Sequence, residues 1–204
     1  MTEPKVKVVC LGDSITWGFP YGPEYSWVHL VSKRYGLEMI NRGINGDTTE
    51  GMLLRFKLQV ASQNPSHVVI LGGANDIIIR ESLDRIQYNL EKMVEESQIH
   101  GITPVMGLPI PLGWAEPERR MSRLRRWIRE YVEKRGISLI DFASAFFLPE
   151  TGEIRYDLLL DGGHPTTQGY AAMAEKVEPD KLGWLPRPSS IQGREPRWDR
   201  EDQP

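Results

Sequence analysis

The sequence predicts a three-layer α/β/α sandwich around a doubly wound, mostly parallel sheet of five strands. Five short apolar runs alternate with segments of helical periodicity along the chain, which is the pattern of βαβ units and a parallel sheet. The first and third runs are almost continuously apolar, as strands buried on both faces are. Because βαβ crossovers are right-handed, few topologies fit this order, and the doubly wound sandwich is the leading one.

The individual elements follow from the hydrophobic pattern and from helix-capping residues. Ser26 is placed to cap one helix, and Asp47 or Thr48 to cap another, because a short polar side chain accepts hydrogen bonds from the first turn. The amphipathic pattern is strongest from Ser82 to His100. The predicted strands are 6–11, 37–41, 67–71, 103–108 and 138–141, and the predicted helices include 27–35, 82–100, 118–134 and 168–177.

The composition is that of one ordinary globular domain. The chain has 204 residues, 40% of them hydrophobic and 26% charged, with a formal net charge of −3, so we expect no nucleic-acid partner. No apolar stretch reaches the roughly 20 residues that span a bilayer, so we expect no membrane span. The N-terminal residues lack the pattern of a signal peptide, and the single Cys10 allows no internal disulfide. Both features predict a cytoplasmic protein.

The composition changes near residue 178. Five of the 15 prolines fall between there and the end, among many charges and without an apolar period. We therefore expect a domain at 1–177 and an extended or partly disordered tail at 178–204. Three large apolar side chains are unusual in such a tail and predict packing on this domain or on a second copy of the chain, as a homo-oligomer: Trp184, Leu185 and Trp198.

Four polar clusters follow predicted strands or loops, at the edge where open α/β sheets bind their ligands. They contain Ser14, Gly46, Asn75, and Asp161 with His164. Taken alone, the segment around Ser14 predicts a plain turn, and Asn45-Gly46 predicts a tight β-turn. Taken together, the clusters favour a catalytic site.

The residue types in these clusters suit nucleophilic catalysis. A serine hydroxyl needs an adjacent base, and His164 can be that base because the ordinary pKa of histidine is about 6.5. Asp161 can hold the imidazole in the required tautomer. The backbone N–H groups of Ser14 and Gly46 and the side-chain amide of Asn75 can stabilise an oxyanion.

The clusters resemble the four sequence blocks of the SGNH hydrolase superfamily, also called the GDSL esterases and lipases. The matching segments are Gly12-Asp13-Ser14-Ile15, Asn41 to Gly46, Gly73-Ala74-Asn75-Asp76 and Asp161-Gly162-Gly163-His164-Pro165, in the family's order. Isoleucine stands where the name-giving motif has leucine. The resemblance implies a flavodoxin-like SGNH hydrolase domain at 1–177, the catalytic residues Ser14, Asp161 and His164, and an oxyanion hole of Ser14, Gly46 and Asn75. It implies no cofactor and no metal ion.

The expected reaction is hydrolysis of a small-molecule carboxylic ester through an acyl-enzyme, with short-to-medium acyl chains preferred. The alternative is a carbohydrate O-acetylesterase on the same fold. Two apolar loops, rich in aromatic residues and proline, predict the substrate pocket, which would be lined by Trp17, Phe19, Tyr21, Pro109 and Trp114.

Three competing interpretations are weaker. The Gly-x-Ser-x-Gly elbow of the α/β-hydrolases is incomplete, because Thr16 occupies the place of its second glycine. A catalytically inactive binding module would need a defect that the sequence does not show. A metal-dependent phosphoesterase has only one histidine in its candidate ligand set, where transition metals usually bind more nitrogen ligands; that set is Asp13, Asp76, Asp161 and His164.

Several further residues receive structural assignments. Asp13 and Asp76 are expected to hold the loops of Ser14 and Asn75, and Cys10 is expected in the core. A run of arginines in the predicted helix 118–134 could suit a phosphate site, but a solvated helix face is favoured; its members are Arg119, Arg120, Arg123, Arg125, Arg126 and Arg129.

Overall fold

The computed structural model describes residues 6–180 and 182–184. Its single sheet has five strands in the order β2-β1-β3-β4-β5, and all four pairings are parallel. The predicted sandwich is therefore confirmed, and it is of the flavodoxin-like strand order. The strands are β1 (Lys7–Gly12), β2 (Glu38–Gly43), β3 (His67–Leu71), β4 (Thr103–Gly107) and β5 (Ser138–Ile140).

Eight α-helices connect and cover these strands in the described part of the chain. Short 3₁₀ turns lie at Pro23–Tyr25, Ala61–Gln63, Ala143–Phe146 and Tyr156–Leu158. The helices are α1 (Ser14–Trp17), α2 (Trp27–Tyr35), α3 (Thr49–Leu54), α4 (Phe56–Gln59), α5 (Ala74–Ile78), α6 (Leu83–Ile99), α7 (Ala115–Arg135) and α8 (Thr167–Glu175). The capping prediction holds at Ser26, and Thr48 rather than Asp47 caps α3. Ser82, predicted as the first residue of its helix, instead caps α6.

The two faces of the sheet are covered by different helices because side chains alternate along each strand. Val9 and Leu11 of β1 point into a core shared with α3, α6 and α7. Val8 and Cys10 point to the opposite face, into a core shared with α2 and α8. Cys10 is fully buried, as expected. This two-sided burial explains why the strands are almost continuously apolar.

The arginine-rich face of α7 is only partly solvated, so the prediction for it was wrong at two positions. Arg125 is 5% exposed, and its guanidinium pairs with Glu118. Arg120 donates to the carbonyl oxygens of Ile77 and Glu81. Arg120 therefore connects α7 to the end of α5 and the residues after it, whereas Arg125 forms an ion pair with a residue of its own helix.

Packing on the domain continues beyond residue 177. Trp184 is 1% exposed and belongs to the core on the α2 and α8 side, where its ring lies 6.0 Å from that of His67. The predictions for Leu185 and Trp198 lie outside the described residues, as does the rest of the tail expected at 178–204, namely residue 181 and residues 185–204. No helix in the described ranges is both long and apolar enough to cross a membrane.

Candidate active site

Ser14 lies at the topological switch point, where the strand order reverses between β1 and β3. It is the first residue of α1, and Asp13 caps this helix by accepting a hydrogen bond of 2.9 Å from the Ile15 N–H. Gly12 is required by close packing, because a Cβ there would lie 2.2 Å from Thr16 Oγ1 and 2.6 Å from the Leu71 carbonyl oxygen. The Gly-Asp-Ser segment thus lets α1 begin directly against the sheet.

Asp161 and His164 come from the loop before α8. Asp161 Oδ1 accepts hydrogen bonds from the backbone N–H groups of Gly163 (2.9 Å) and His164 (2.8 Å). Asp161 Oδ2 lies 2.8 Å from His164 Nδ1. Four residues of loop therefore place the aspartate and the histidine ring in one fixed geometry.

The tertiary fold brings this loop to Ser14. Ser14 Oγ lies 3.0 Å from His164 Nε2, although the residues are 150 positions apart. Because an ionised Asp161 can only accept, Nδ1 carries the imidazole proton, and Nε2 is the acceptor for the Ser14 hydroxyl. The three predicted side chains are thus hydrogen-bonded in series.

The carboxyl groups of the site have shifted pKa values of opposite sign. Partial burial acts to raise the pKa of Asp161, but hydrogen bonds from the His164 ring and from two backbone N–H groups outweigh it and lower the pKa. Burial raises the pKa of Asp13 to about 6, against the lowering effects of the Ile15 N–H and the His164 charge. Asp161 therefore stays ionised beside the histidine. Burial instead makes the ionised form of Asp13 less favourable.

The segments with Gly46 and Asn75 meet at the same edge of the sheet. The Asp47 N–H donates to the Ile44 carbonyl oxygen and closes a turn in which Gly46 has a φ of +77°. Asn75 Nδ2 donates to the Asp47 carbonyl oxygen at 2.8 Å, which leaves its second hydrogen free. The N–H groups of Ser14 and Gly46 have no acceptor in the described part of the chain.

The predicted turn and the predicted helix at this segment are therefore both present. Asn45 and Gly46 occupy the centre of the turn, and α3 starts two residues after Asp47. The turn does not form a hairpin, because its neighbouring strands are parallel and α3 follows it.

Arg55 is a site residue that sequence reasoning missed. Its guanidinium pairs with Asp47 Oδ2 at 2.7 Å and donates to the carbonyl oxygens of Gly12 and Arg42, each at 2.9 Å. A single side chain thus connects the end of β1, the end of β2 and the Gly46 turn. The only signal in the sequence was an arginine seven residues after Thr48, which marks no recognised motif.

Asp76 also holds a different element from the one expected. Its carboxylate accepts from the Thr49 N–H (2.9 Å) and from Thr49 Oγ1 (2.6 Å), and Asn89 Nδ2 donates to that same hydroxyl at 3.1 Å. Burial raises the pKa of Asp76. This network fixes the start of α3, directly after the Gly46 turn, against α5 and α6.

The structure brings two of the five predicted pocket residues next to His164. The Phe19 ring lies 4.6 Å from the imidazole, centroid to centroid. Trp114 is 48% exposed and lies over the Gly162–Gly163 segment that precedes His164. Tyr21 instead packs against Tyr25.

Within the described residues, Trp17 and Pro109 form no hydrogen bond or ring contact with His164. Trp17 is half-buried, and its backbone nitrogen packs closely against Gly43. Pro109 is buried, and its carbonyl oxygen accepts a long hydrogen bond of 3.4 Å from Arg125. These two positions, with Tyr21, are expected to support the loops more than to touch a ligand.

The parallel sheet and its helices define an α/β protein, and comparison with known protein families shows which hydrolase family it belongs to. The model of the GDSL-like lipase/acylhydrolase family matches residues 10–172. The chain therefore belongs to the GDSL-like lipase/acylhydrolase family, and the resemblance drawn from the four sequence blocks is confirmed.

Three relatives are similar over most of their length. The chain is 37% identical to the uncharacterized lipoprotein YqeF of Bacillus subtilis, over 86% of this chain and 89% of the relative. It is 26% identical to the esterase TesA of Pseudomonas aeruginosa, over 84% and 86%. It is 27% identical to an acetylxylan esterase of Geobacillus stearothermophilus, over 72% and 73%.

A solved structure shows the same fold. The related structure is that of a G-D-S-L family member from Desulfitobacterium hafniense DCB-2. It matches this chain with a TM-score of 0.78 and 28% identity, over 84% of this chain and 97% of the related one. The match therefore extends over nearly the whole related chain.

Proposed function

We propose that this protein hydrolyses carboxylic esters through an acyl-enzyme intermediate. Ser14 is the nucleophile, His164 the general base and acid, and Asp161 the residue that orients the imidazole. One observation carries the proposal, namely the hydrogen-bonded series from Ser14 Oγ through His164 to Asp161, with distances of 3.0 and 2.8 Å. Membership of a lipase/acylhydrolase family supports it.

Acylation follows from this geometry. His164 Nε2 takes the proton as Ser14 Oγ attacks the ester carbonyl, and Asp161 stabilises the imidazolium that forms. The tetrahedral intermediate then expels the alcohol oxygen, which receives the proton from His164 Nε2. A water molecule then attacks the acyl carbon as His164 Nε2 takes its proton. The second tetrahedral intermediate releases the acid, and His164 returns the proton to Ser14 Oγ.

The oxyanion of each tetrahedral intermediate is assigned to three donors. They are the N–H groups of Ser14 and Gly46 and the free amide hydrogen of Asn75. The first two have no acceptor within the described residues, and the turn and the Asn75–Asp47 hydrogen bond hold the donors in place before substrate binds. Preorganised donors of this kind typically contribute about 10²–10³ each to turnover.

The preferred substrates are esters with short-to-medium acyl chains. The loops that follow β1 and β4 are short, and the aromatic rings of Phe19 and Trp114 flank the His164 loop. Such surfaces suit small or accessible esters. The second candidate, a carbohydrate O-acetylesterase, is favoured by the similarity to an acetylxylan esterase and by the exposed Trp114 ring, which could stack on a sugar.

The decisive experiment compares Ser14→Ala with Ser62→Ala, a control at an exposed serine bonded to the Leu58 carbonyl oxygen. Purified proteins are assayed on p-nitrophenyl esters of two to twelve carbons and on acetylated xylo-oligosaccharides. We expect Ser14→Ala to lose essentially all turnover while its circular dichroism and Tm match the wild type, and Ser62→Ala to keep full turnover. Normal turnover by folded Ser14→Ala would contradict the proposal.

The same assay separates the substrate classes. A maximum at four to eight acyl carbons supports the esterase, whereas exclusive activity on acetylated sugars supports the second candidate. Turnover is expected to be unchanged by a chelator, since the described residues contain no group of three or more His, Cys, Asp or Glu side chains that could hold a metal ion. Loss of turnover with a chelator would instead favour the phosphoesterase alternative.

The cytoplasmic location and the homo-oligomer remain predictions. One relative carries the name lipoprotein, which favours a location outside the cytoplasm for that protein. Cell fractionation with an antibody against this chain decides the location, and light scattering of the purified full chain decides the oligomeric state.

A further inference from the structure

An open cleft of about 730 Å³ lies between the outer face of α7 and residues 147–156. Its α7 wall carries three arginines, and its opposite wall carries one carboxylate and two aromatic rings. The residues used below are Arg119, Arg123, Arg126, Phe147, Glu153 and Tyr156.

The three arginines of the cleft differ from the other arginines of α7. Arg119, Arg123 and Arg126 form no hydrogen bond, ion pair or ring contact with another described residue. Each of the other four arginines of α7 has a partner. Arg120 donates to the carbonyl oxygens of Ile77 and Glu81, and Arg125 pairs with the carboxylate of Glu118. Arg129 pairs with the carboxylate of Asp141, and Arg135 lies over the ring of Tyr131. Among the arginines of α7, only those that line the cleft lack a partner within the described residues.

This arrangement concentrates positive charge in the cleft. Arg119 and Arg123 are four residues apart and Arg126 is three further, so like charges are neighbours on one helix face, which is unfavourable without a counter-charge. Glu118 also borders the cleft, but its charge is matched by the buried Arg125. Glu153 is the remaining carboxylate of the walls, and its charge balances only one of the three guanidinium groups.

One layer of residues separates the cleft from the His164 loop. A Cβ on Gly113 would lie 3.3 Å from the Tyr156 ring and 2.9 Å from Gly162 Cα. The Gly113 N–H donates to the Gly162 carbonyl oxygen at 2.6 Å. Gly113 therefore lies between Tyr156, which lines the cleft, and Gly162, which belongs to the loop that carries Asp161 and His164.

We propose that this cleft is a subsite for a carboxylate or phosphate group on the alcohol part of the substrate. The inference rests on the proposed function, in which His164 delivers a proton to the leaving alcohol, so the alcohol lies on the His164 side of Ser14. The cleft lies one layer of residues from that same loop. Guanidinium groups bind carboxylate and phosphate oxygens through paired hydrogen bonds, and the rings of Phe147 and Tyr156 offer apolar surface to the carbon frame.

The test uses butyrate esters of ω-hydroxy acids with two to eight methylene groups, each paired with the neutral methyl amide of the same acid. A second series carries a terminal phosphate and distinguishes it from a carboxylate. For wild-type protein at low salt we expect kcat/KM for the anionic ester to exceed that of its neutral partner by about tenfold at the best spacer length. The ratio should fall as salt is added.

Charge reversal locates the effect. Arg123→Glu is expected to bring the ratio of anionic to neutral kcat/KM to about one or below, mainly through KM, because the charge attraction is lost. A variant that merely folds less well lowers both rates and leaves the ratio unchanged. The matched control is Arg135→Glu at the far end of α7, where the guanidinium lies over the Tyr131 ring; it should keep the wild-type ratio.

The outcomes separate this inference from the proposed function. If wild-type protein hydrolyses no ester of either series, the proposed function and the subsite both fail. If it hydrolyses the neutral esters but shows no anionic preference at any spacer length, or keeps that preference in Arg123→Glu, the subsite alone is overturned. Binding of the same ester pairs to Ser14→Ala protein, measured by calorimetry, repeats the comparison without turnover.

Discussion

Arg55 and Asp47 form an ion pair with 2.7 Å between Nε and Oδ2, and the two side chains are only 11% and 12% exposed. The guanidinium of this pair also donates to the Gly12 carbonyl oxygen, two residues before Ser14. The Asp47 carbonyl oxygen in turn accepts from Asn75. The pair therefore joins the three segments that are proposed to supply the oxyanion donors.

We expect Arg55→Ala to lower kcat about 10- to 100-fold with little change in KM, because small shifts of catalytic groups slow chemistry more than binding. Loss of one partner of a nearly buried ion pair should also destabilise the fold by about 3 kcal/mol. Steady-state kinetics below the variant's Tm and urea unfolding measure the two effects. Arg85→Ala, which removes an exposed pair with Glu50, is the control and should change neither by much.

Asp13→Asn is expected to stabilise the protein at neutral pH while slowing the reaction. Because the folded pKa of Asp13 is raised to about 6, the folded state binds more protons than the unfolded state between about pH 4 and 6, and stability falls as pH rises through that window. Asparagine can still cap α1, so the variant should gain about 2–3 kcal/mol at pH 7 and nothing near pH 4.

The slower reaction of Asp13→Asn has an electrostatic cause. The charge of Asp13 acts on His164, so its removal makes the imidazolium of the transition state less favourable. We expect kcat to fall severalfold at pH 7. Urea unfolding at pH 4, 5.5 and 7 tests the stability, and an equal stability difference at all three pH values would refute the assigned role of burial.

Asp161→Asn should reduce kcat by about 10²–10⁴, because an amide no longer selects the Nδ1–H tautomer or stabilises the imidazolium. Its effect on stability should be small at pH 7, since the Asp161 side chain is nearly half-exposed. Because the pKa of Asp161 is lowered in the folded state, its carboxylate stabilises the fold at pH values above its unfolded pKa. This stabilisation is lost as pH falls below about 4. A loss of turnover under tenfold, measured on p-nitrophenyl butyrate, would remove Asp161 from the proposed site.

Asp76→Ala is expected to destabilise the fold by about 2–4 kcal/mol, because the N–H and hydroxyl of Thr49 would be left buried without their acceptor. The start of α3 would loosen and shift the adjacent Gly46 turn, so kcat should also fall. Thermal unfolding and kinetics are compared with Asp84→Ala, an exposed aspartate in the first turn of α6. If Asp76→Ala and Asp84→Ala unfold at the same temperature, the network is not stabilising.

Local patterns in the sequence were sufficient for the fold class and for nominating Ser14, Asp161 and His164 as candidate site residues, but not for Arg55. Apolar runs, helical periodicity and helix caps are set by neighbours a few positions apart, which is why β1, α2 and α6 were predicted close to their observed bounds. The segment around Asp161 and His164 is likewise local, since three of its hydrogen bonds lie within four residues. Such local features can be predicted from the sequence without knowledge of the tertiary structure.

Contacts between distant segments were decided only by the tertiary structure. Arg55 reaches Gly12 over 43 positions, and Asp76 reaches Thr49 over 27; no spacing in the sequence marks such partners. Arg125 is buried because its side of α7 packs toward the loop after β4, where the Pro109 carbonyl oxygen lies 3.4 Å from the guanidinium. Its neighbours in the same arginine run line the cleft. Ser14 itself is a local turn residue in the sequence, and only the folded sheet places His164 3.0 Å from its hydroxyl.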